Sequence, residues 1–168
     1  MKIAIMGYVG SGKSVLARNL SKKLGIPKLE LDDIAFDLNW KAVDRKKILP
    51  DIQKLMEQDS WIIDGNYDDL LQLQRLEMAD RIIFVMLPRV QCLFRALRRT
   101  KERKAAGYHN DINPWFLRFL LFGCRNKERR KRYQCIMRQY PDKIVVLRSQ
   151  SAIDDFLVCF SIENAWHT

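Results

Sequence analysis

The stretch from Gly7 to Ser14, G-Y-V-G-S-G-K-S, fits the pattern G-x-x-x-x-G-K-[ST] at every fixed position. Its glycines allow the backbone to fold around a phosphate with the N–H groups turned inward, and a helix after the loop presents its positive end to the same anion. Lys13 can reach the β and γ phosphates, and the Ser14 hydroxyl can ligate magnesium. A glycine-rich turn with an incidental lysine is the alternative. The loop predicts a site for a nucleoside triphosphate, ATP, with Mg²⁺, formed by Gly7, Gly10, Ser11, Gly12, Lys13, Ser14 and Val15.

Asp64 ends an apolar run in the segment W-I-I-D-G-N-Y, which starts at Trp61. A carboxylate at the end of a buried strand beside a phosphate loop can hold magnesium through water. The alternative is an ordinary turn aspartate before a glycine. We therefore predict that Ser14 and Asp64 together form the metal site.

Further polar residues follow other strand ends and are candidates to receive a phosphoryl acceptor. Asp32 and Asp33 follow the second strand candidate, residues 27–31, where one carboxylate could orient or deprotonate an acceptor. The same pair could instead cap a helix. Asn66 lies in the loop after the third strand, and Arg75 beyond it could clamp an acceptor phosphate. Trp40 could line the same pocket or simply pack.

A basic helix is predicted from residue 88 to about residue 104. Arg95 lies about one turn from both Arg98 and Arg99, so each pair shares a face. Charge that develops on a transferred phosphoryl group needs arginines or lysines over it. A basic helix is also often simply solvated. We expect one or two of these arginines, Arg95 and Arg99 first, to act with Lys13 and one aspartate in catalysis.

These residues need a scaffold that brings distant segments to one edge. Mainly apolar runs predict strands at residues 2–6, 61–64, 81–87 and 143–147, and residues 27–31 are a further strand candidate. Helical spacing alternates with them at residues 14–24, 44–57, 68–78, 88–104, 114–140 with a break near Gly123, and 154–160. Buried strands that alternate with helices indicate a parallel sheet covered on both faces. The prediction is a three-layer α/β/α fold with a five-stranded parallel sheet and its ligand at the carboxyl ends of the strands.

The 168 residues suit one domain, 1–168, with a net charge of +10. Half of the 30 Lys and Arg residues fall between Arg89 and Arg138, which predicts an anionic partner or a solvated face. Four widely spaced cysteines give neither a zinc pattern nor a disulfide framework. With no signal peptide and no apolar run near the ~20 residues that span a bilayer, we expect a soluble cytoplasmic protein without a membrane partner.

The residues from Met1 to about Arg99 resemble the small P-loop kinases of the adenylate kinase class. Within that class they are most similar to the adenylate-kinase-related DNA topology modulation proteins. The resemblance is carried by G-Y-V-G-S-G-K-S, L-D-D-I with Trp40 nearby, W-I-I-D-G-N-Y, R-L-E-M-A-D, and L-P-R with the arginines after it. It implies a P-loop nucleoside triphosphate hydrolase fold with a short, basic, helical lid near residues 99–132. It also implies Asp32 rather than Asp33 at the acceptor, Asp64 as the magnesium-associated aspartate, and Arg75 as an acceptor-side arginine.

Three functions remain open from the sequence. The first is a kinase that transfers the γ-phosphoryl group of ATP to a nucleotide or another small acceptor, with Asp32, Asn66 and Arg75 binding that acceptor. The second is an ATP-binding regulator that binds DNA through its basic segment and affects DNA topology, although no known DNA-reading motif is recognisable. The third is a slow NTPase with a structural role. The short chain with acidic residues at two strand ends favours the kinase.

Overall fold

The computed structural model describes residues 1–37, 41–105 and 114–165, so Trp40 and the middle of the predicted lid lie outside the described residues. The strands are β1 (Lys2–Gly7), β2 (Lys28–Glu30), β3 (Trp61–Asp64), β4 (Arg81–Val85) and β5 (Ile144–Leu147). The α-helices are α1 (Lys13–Leu24), α2 (Leu31–Ala35), α3 (Arg45–Met56), α4 (Gln72–Met78), α5 (Arg89–Ala105), α6 (Pro114–Leu121), α7 (Lys127–Gln139) and α8 (Gln150–Ala165).

The five strands form one sheet in the order β2-β3-β1-β4-β5, and every neighbouring pair is parallel. The predicted five-stranded parallel sheet is confirmed. Parallel strands all end at the same edge of a sheet, and the register aligns those ends closely. Ile5 pairs with Asp64, and Gly7 pairs with Val85. The end of the central strand β1 therefore lies beside the ends of β3 and β4, which places the phosphate loop next to Asp64.

Helices cover both faces of the sheet, as predicted. Alternate residues of a strand point to opposite faces, so Ala4 and Met6 join a core beneath α2, α3, α4 and α7. Ile3 and Ile5 join the opposite core, beneath α1, α5 and α8. The strand residues of both cores are almost completely buried. Each such aliphatic side chain contributes about 1.5–3 kcal/mol relative to exposure, and this burial makes the sheet a firm base for the loops at its edge.

Several element boundaries differ from the sequence-based expectation, among them the start of α8 at Gln150 instead of residue 154. Asp32 and Asp33 lie within the first turn of α2, whose N-cap is Glu30, so they do not cap a helix but favour its positive end. A helix of five residues is too short to show a hydrophobic period, which is why the sequence did not predict it. The helix expected from residue 68 begins only at Gln72, because Leu71 at its N-cap has the positive φ of 55°.

The expected break near Gly123 is a short 3₁₀ turn, Gly123–Arg125, between α6 and α7. Leu120 and Cys124 are buried there, whereas Trp115 is 70% exposed and Phe122 63% exposed. The apolar helix α6 thus packs on the domain along one face only. Within the described ranges, none of the helices combines the length and the apolar character needed to cross a bilayer.

Candidate active site

The phosphate loop joins the buried end of β1 to the start of α1. A Cβ on Gly7 would lie 2.2 Å from the carbonyl oxygen of Val85 in β4. Gly12 is the N-cap of α1 with a φ of 93°, and a Cβ there would lie 2.8 Å from Nη1 of Arg95. Both positions therefore need glycine. In the described structure no side chain caps α1, so its first N–H groups are available to an anion at this helix end.

The other predicted loop residues surround the same helix end. Ser11 is fully buried, and Lys13 donates from Nζ to the Tyr8 carbonyl oxygen at 3.3 Å. Val15 points its side chain towards solvent, with 56% of the residue exposed. An apolar side chain in that position cannot contact a phosphate favourably, so Val15 can serve an anion only through its backbone N–H.

Ser14 and Asp64 meet directly, since Ser14 Oγ donates to Asp64 Oδ2 at 2.7 Å. Asp64 is only 4% exposed, and its other oxygen, Oδ1, finds no hydrogen-bond partner in the part of the chain that the structure describes. A buried carboxylate oxygen without a partner is costly. Magnesium prefers oxygen ligands and keeps several waters, so it needs few protein groups. The pair therefore fits a magnesium ion held by Ser14 directly and by Asp64 directly or through water.

The ionisation of Asp64 reflects this setting. Burial raises the pKa of its carboxyl group above the ordinary 3.8, while the Lys13 ammonium and the Ser14 hydrogen bond oppose that shift. The carboxylates of Asp32 and Glu30 raise the pKa further. Several negative groups thus gather at the ends of β2 and β3, and a bound cation would stabilise them together.

Arg95 reaches the phosphate loop from α5. Its Nη1 donates to the Ser11 carbonyl oxygen at 2.9 Å, and its Nη2 donates to Gln150 Oε1 at the start of α8. The guanidinium therefore lies against the Gly12 backbone. Arg95 is one of the arginines that we predicted from the sequence to act in phosphoryl transfer. Arg99, one turn further along α5, has an exposed side chain. The structure brings Arg95 to the loop and leaves Arg99 at the surface of the same helix.

Asn66 is joined to the phosphate loop. Its Oδ1 accepts from the Gly7 N–H at 3.0 Å, and its Nδ2 donates to the Gly7 carbonyl oxygen at 2.8 Å. The buried hydroxyl of Tyr133 in α7 lies 3.1 Å from Gly7 O and 3.0 Å from Asn66 Oδ1. This cluster ties the ends of β1 and β3 to α7. Asn66 was expected to bind the acceptor, but here both ends of its amide are used to fasten Gly7.

Arg75 lies inside the protein and not at an open surface, with 1% exposure. Its guanidinium donates to the carbonyl oxygens of Leu70 at 2.9 Å, Tyr67 at 2.8 Å and Gly65 at 3.4 Å. Burial lowers its pKa to about 10, and nearby Asp64 opposes the shift, so the group stays charged at neutral pH. The geometry differs from the expected acceptor clamp, because the donors of Arg75 hold the loop 65–71 from beneath.

Asp32, unlike Arg75, is exposed. Its Oδ1 accepts from Tyr67 Oη at 2.6 Å, and burial, followed by this hydrogen bond, raises the pKa of the Tyr67 hydroxyl. Arg45 lies over the Tyr67 ring, with its guanidinium carbon 5.4 Å from the ring centroid. The carboxylate is thus held in place at the edge of the site while it remains open to solvent.

Sequence patterns missed several residues that shape this site. Arg125 lies over the Tyr8 ring at 4.0 Å, and its Nη2 donates to the Leu87 carbonyl oxygen and contacts Cys92 Sγ at 3.3 Å. It joins the 3₁₀ turn to the phosphate loop. Tyr133 and Arg125 are separated from the loop by more than a hundred residues, and no local period or motif marks either of them.

Comparison with known families gives one match over most of the chain. The AAA_18 family model, described as an AAA domain, matches residues 3–148. No curated protein gives a significant match.

Solved structures of similar fold share little sequence with this chain. A gluconokinase from Sinorhizobium meliloti 1021 has a TM-score of 0.55 at 15% identity, with 99% of this chain and 97% of that chain covered. A shikimate kinase from Acinetobacter baumannii in complex with shikimate has 0.54 at 17% identity, with 98% and 93% covered. A deoxyadenosine kinase from M. mycoides, with products dCMP and dCDP bound, has 0.51 at 18% identity and full coverage of both chains. These likenesses support the fold.

Proposed function

We propose that this chain, which belongs to the AAA_18 family of AAA domains, is a kinase that transfers the γ-phosphoryl group of ATP to a nucleotide or another small acceptor. The observation that carries the proposal is the contact of Ser14 Oγ with Asp64 Oδ2 at 2.7 Å. A hydroxyl and a carboxylate joined in this way beside an open helix N-terminus suit a magnesium-bound triphosphate. Solved kinases of the same fold are consistent with the proposal.

The donor half of the site would work through the loop and α1. The backbone N–H groups of residues 10–15 would bind the β-phosphate, and Lys13 would leave the Tyr8 carbonyl to pair with the β and γ oxygens. Magnesium, when bound, would neutralise charge on the phosphates. Arg95, already at the Ser11 carbonyl, would approach the transferring group by a short rotation of its side chain, with Arg99 following it on the same helix.

The acceptor half would depend on Asp32. Its carboxylate is exposed, it is positioned by Tyr67, and it lies close enough to Asp64 to affect the pKa of that group. A carboxylate in this position can orient an acceptor hydroxyl and take its proton during transfer. Asn66 and Arg75 would act as positioning residues, because they hold the phosphate loop and the loop 65–71 in place.

The test is a phosphoryl-transfer screen with ATP and Mg²⁺ over nucleosides, nucleotides and small alcohols. The right acceptor should raise ADP formation well above the rate with ATP alone. Lys13→Ala should lower acceptor-dependent ADP formation by at least ~100-fold, since it removes charge stabilisation of the transferring group. Lys22→Ala, which removes an exposed lysine from the far end of α1, is the matched control. Unchanged turnover in Lys13→Ala would exclude this mechanism.

A second candidate is an ATP-binding protein that binds DNA, and the charge of α7 favours it. Lys127, Arg130 and Lys131 are exposed on that helix. Binding through phosphate contacts should weaken steeply between 50 and 200 mM salt, as counterions are released. Titration of duplex DNA at low salt tests this candidate, and no binding there would remove it.

A further inference from the structure

The arginines beside the loop 65–71, on the proposed acceptor side of the site, already bind groups of the protein itself. Three arginines contact the loop 65–71 in the described structure. Arg75 is committed to three carbonyl oxygens, Arg45 donates to Asp69 at 2.7 Å, and Arg132 donates to Asp68 at 2.7 Å. A phosphate or carboxylate group on an acceptor is normally met by a free arginine fork. To bind one here, any of these arginines would first have to abandon its present partners.

The group that does face an acceptor is negative. Asp32 is exposed, and among the described residues its hydrogen bond from Tyr67 uses Oδ1, which leaves Oδ2 for an incoming donor. Asp32 and Glu30 both raise the pKa of Asp64, so both of these carboxylates lie near Asp64 at the ends of β2 and β3.

We propose that the acceptor is an uncharged molecule phosphorylated on a hydroxyl group, and that the site discriminates against acceptors bearing a phosphate or carboxylate. The inference rests on the proposed kinase function and narrows its substrate class. A hydroxyl can donate its hydrogen bond to Asp32 Oδ2, whereas an anionic group beside Asp32 meets like charge with no unengaged arginine in the described loop to offset it.

The acceptor hydroxyl, ATP and Asp32 account for every bond and proton in the transfer. The acceptor oxygen forms a bond to the γ phosphorus, and its proton passes to Asp32 Oδ2. The bond from the γ phosphorus to the β–γ bridging oxygen breaks, and ADP leaves with that electron pair. Tyr67, which keeps its proton because its pKa is raised, holds Oδ1 and so orients the carboxylate without taking part in the proton transfer.

Matched acceptor pairs that differ in charge test the discrimination. Adenosine against adenosine 5′-monophosphate, and glucose against gluconate, are compared by kcat/KM with the full chain, ATP and Mg²⁺. For any pair of which the protein phosphorylates at least one member, kcat/KM should be at least tenfold higher for the uncharged member than for the charged member. A pair in which the charged member is preferred overturns the inference while the kinase function stands.

A second experiment does not depend on which acceptors are chosen in advance. A metabolite extract is incubated with the protein and γ-labelled ATP. The labelled product, identified by mass spectrometry, should have an uncharged hydroxyl compound as its parent. A labelled product with an anionic parent overturns the inference alone. No labelled product at all, with ATP binding intact, defeats the proposed kinase function and this inference with it.

Variants at Asp32 separate chemistry from structure. Asp32→Asn should lower kcat for the preferred acceptor by ~100-fold or more, with ATP binding unchanged. It should also narrow the preference for the uncharged member of a pair, because the repelling charge is gone. Asp33→Asn, an exposed neighbour on the same turn of α2, should leave both quantities within about twofold. Equal effects of the two substitutions would overturn the assignment.

Discussion

At the scale of single residues, the clearest feature is a buried carboxylate with one oxygen bonded and one unmatched. Asp64 Oδ2 accepts from Ser14, and Oδ1 finds no partner in the described structure. Burial of an ionised group without full hydrogen bonding costs stability unless a cation or another donor compensates. Under the proposed function, this cost in stability would be offset when a metal ion binds, a balance common at functional sites.

Asp64→Asn should lower the apparent affinity for Mg²⁺ in ATP turnover by roughly 10–100-fold, since a group that orients or ligates the metal is lost. The measurement is a Mg²⁺ titration of ADP formation at saturating ATP. Asp51→Asn, at an exposed position on α3, provides the control. An unchanged titration in Asp64→Asn would remove Asp64 from the metal site.

The raised pKa of Asp64 also predicts a pH dependence of stability in the absence of metal. The folded state holds the proton more tightly than the unfolded state, whose value is near 3.8. The unfolding free energy contributed by this group should therefore fall as pH rises from about 4 through the raised pKa of the folded state. Urea unfolding across this range should show a steeper fall for the natural protein than for Asp64→Asn. Parallel curves would contradict the raised pKa.

At the scale of elements, the phosphate loop is held by segments far away in the chain. Gly7 touches β4 so closely that no side chain fits, Asn66 binds both its backbone groups, and Tyr133 brings α7 to the same point. The ring of Tyr133 also packs edge-on against Phe84 at 5.1 Å. A loop fixed from three sides is preorganised, so little ordering is needed when phosphate binds.

Gly7→Ala should be strongly destabilising, because a methyl group would meet the Val85 carbonyl at 2.2 Å and neither backbone can move without disturbing the sheet. Gly25→Ala makes the matched control, since Gly25 also has a positive φ but nothing lies within 4 Å of its Cβ position. The unfolding free energy of Gly25→Ala should fall by about 1–2 kcal/mol, which is the cost of the left-handed conformation alone. Gly7→Ala should lose clearly more in urea unfolding, and equal losses would contradict the close approach.

Tyr133→Phe should lose about 1 kcal/mol of unfolding free energy, the typical net value of one buried hydrogen bond. The loss stays small because Gly7 O and Asn66 Oδ1 each keep a second partner, and the ring packing is retained. Tyr140→Phe is the control, since its hydroxyl accepts from Gln139 in an exposed setting and should contribute almost nothing. A control loss as large as that of Tyr133→Phe would argue against the role of the Tyr133 hydroxyl.

At the scale of the whole molecule, one sheet carries the phosphate loop, the Ser14–Asp64 pair and the exposed carboxylate of Asp32 along a single edge. A ligand that binds the folded state alone must stabilise the whole chain by mass action. At 100 times its dissociation constant, ATP with Mg²⁺ should add about 2.7 kcal/mol, which for a chain of this size raises Tm by roughly 5–10 °C.

Thermal unfolding with and without ATP and Mg²⁺ measures this shift. Lys13→Ala should abolish most of it, whereas Lys22→Ala should retain it. A shift that is identical in Lys13→Ala would place the nucleotide somewhere other than the phosphate loop.

The sequence by itself determined the elements that local patterns encode. The phosphate loop follows from fixed residue spacing, and four of the strands follow from short apolar runs, because burial on both faces requires apolar residues throughout. The edge strand β2 has the sequence K-L-E and is only partly buried. Alternation with helices then required parallel strands, and parallel strands required that Gly7 and Asp64 end at one edge. The proximity of Ser14 to Asp64 could thus be anticipated from spacing and topology.

Only the tertiary structure decided which polar groups are exposed at this edge of the sheet and which are used internally. The sequence assigned Asn66, Arg75 and Asp32 alike to acceptor binding, yet the first two satisfy backbone groups that folding buries, while Asp32 stays exposed. Whether a donor is free depends on the carbonyls that other segments bring beside it, and buried carbonyls must be paired. That demand is set by packing between distant parts of the chain, so no local pattern records it.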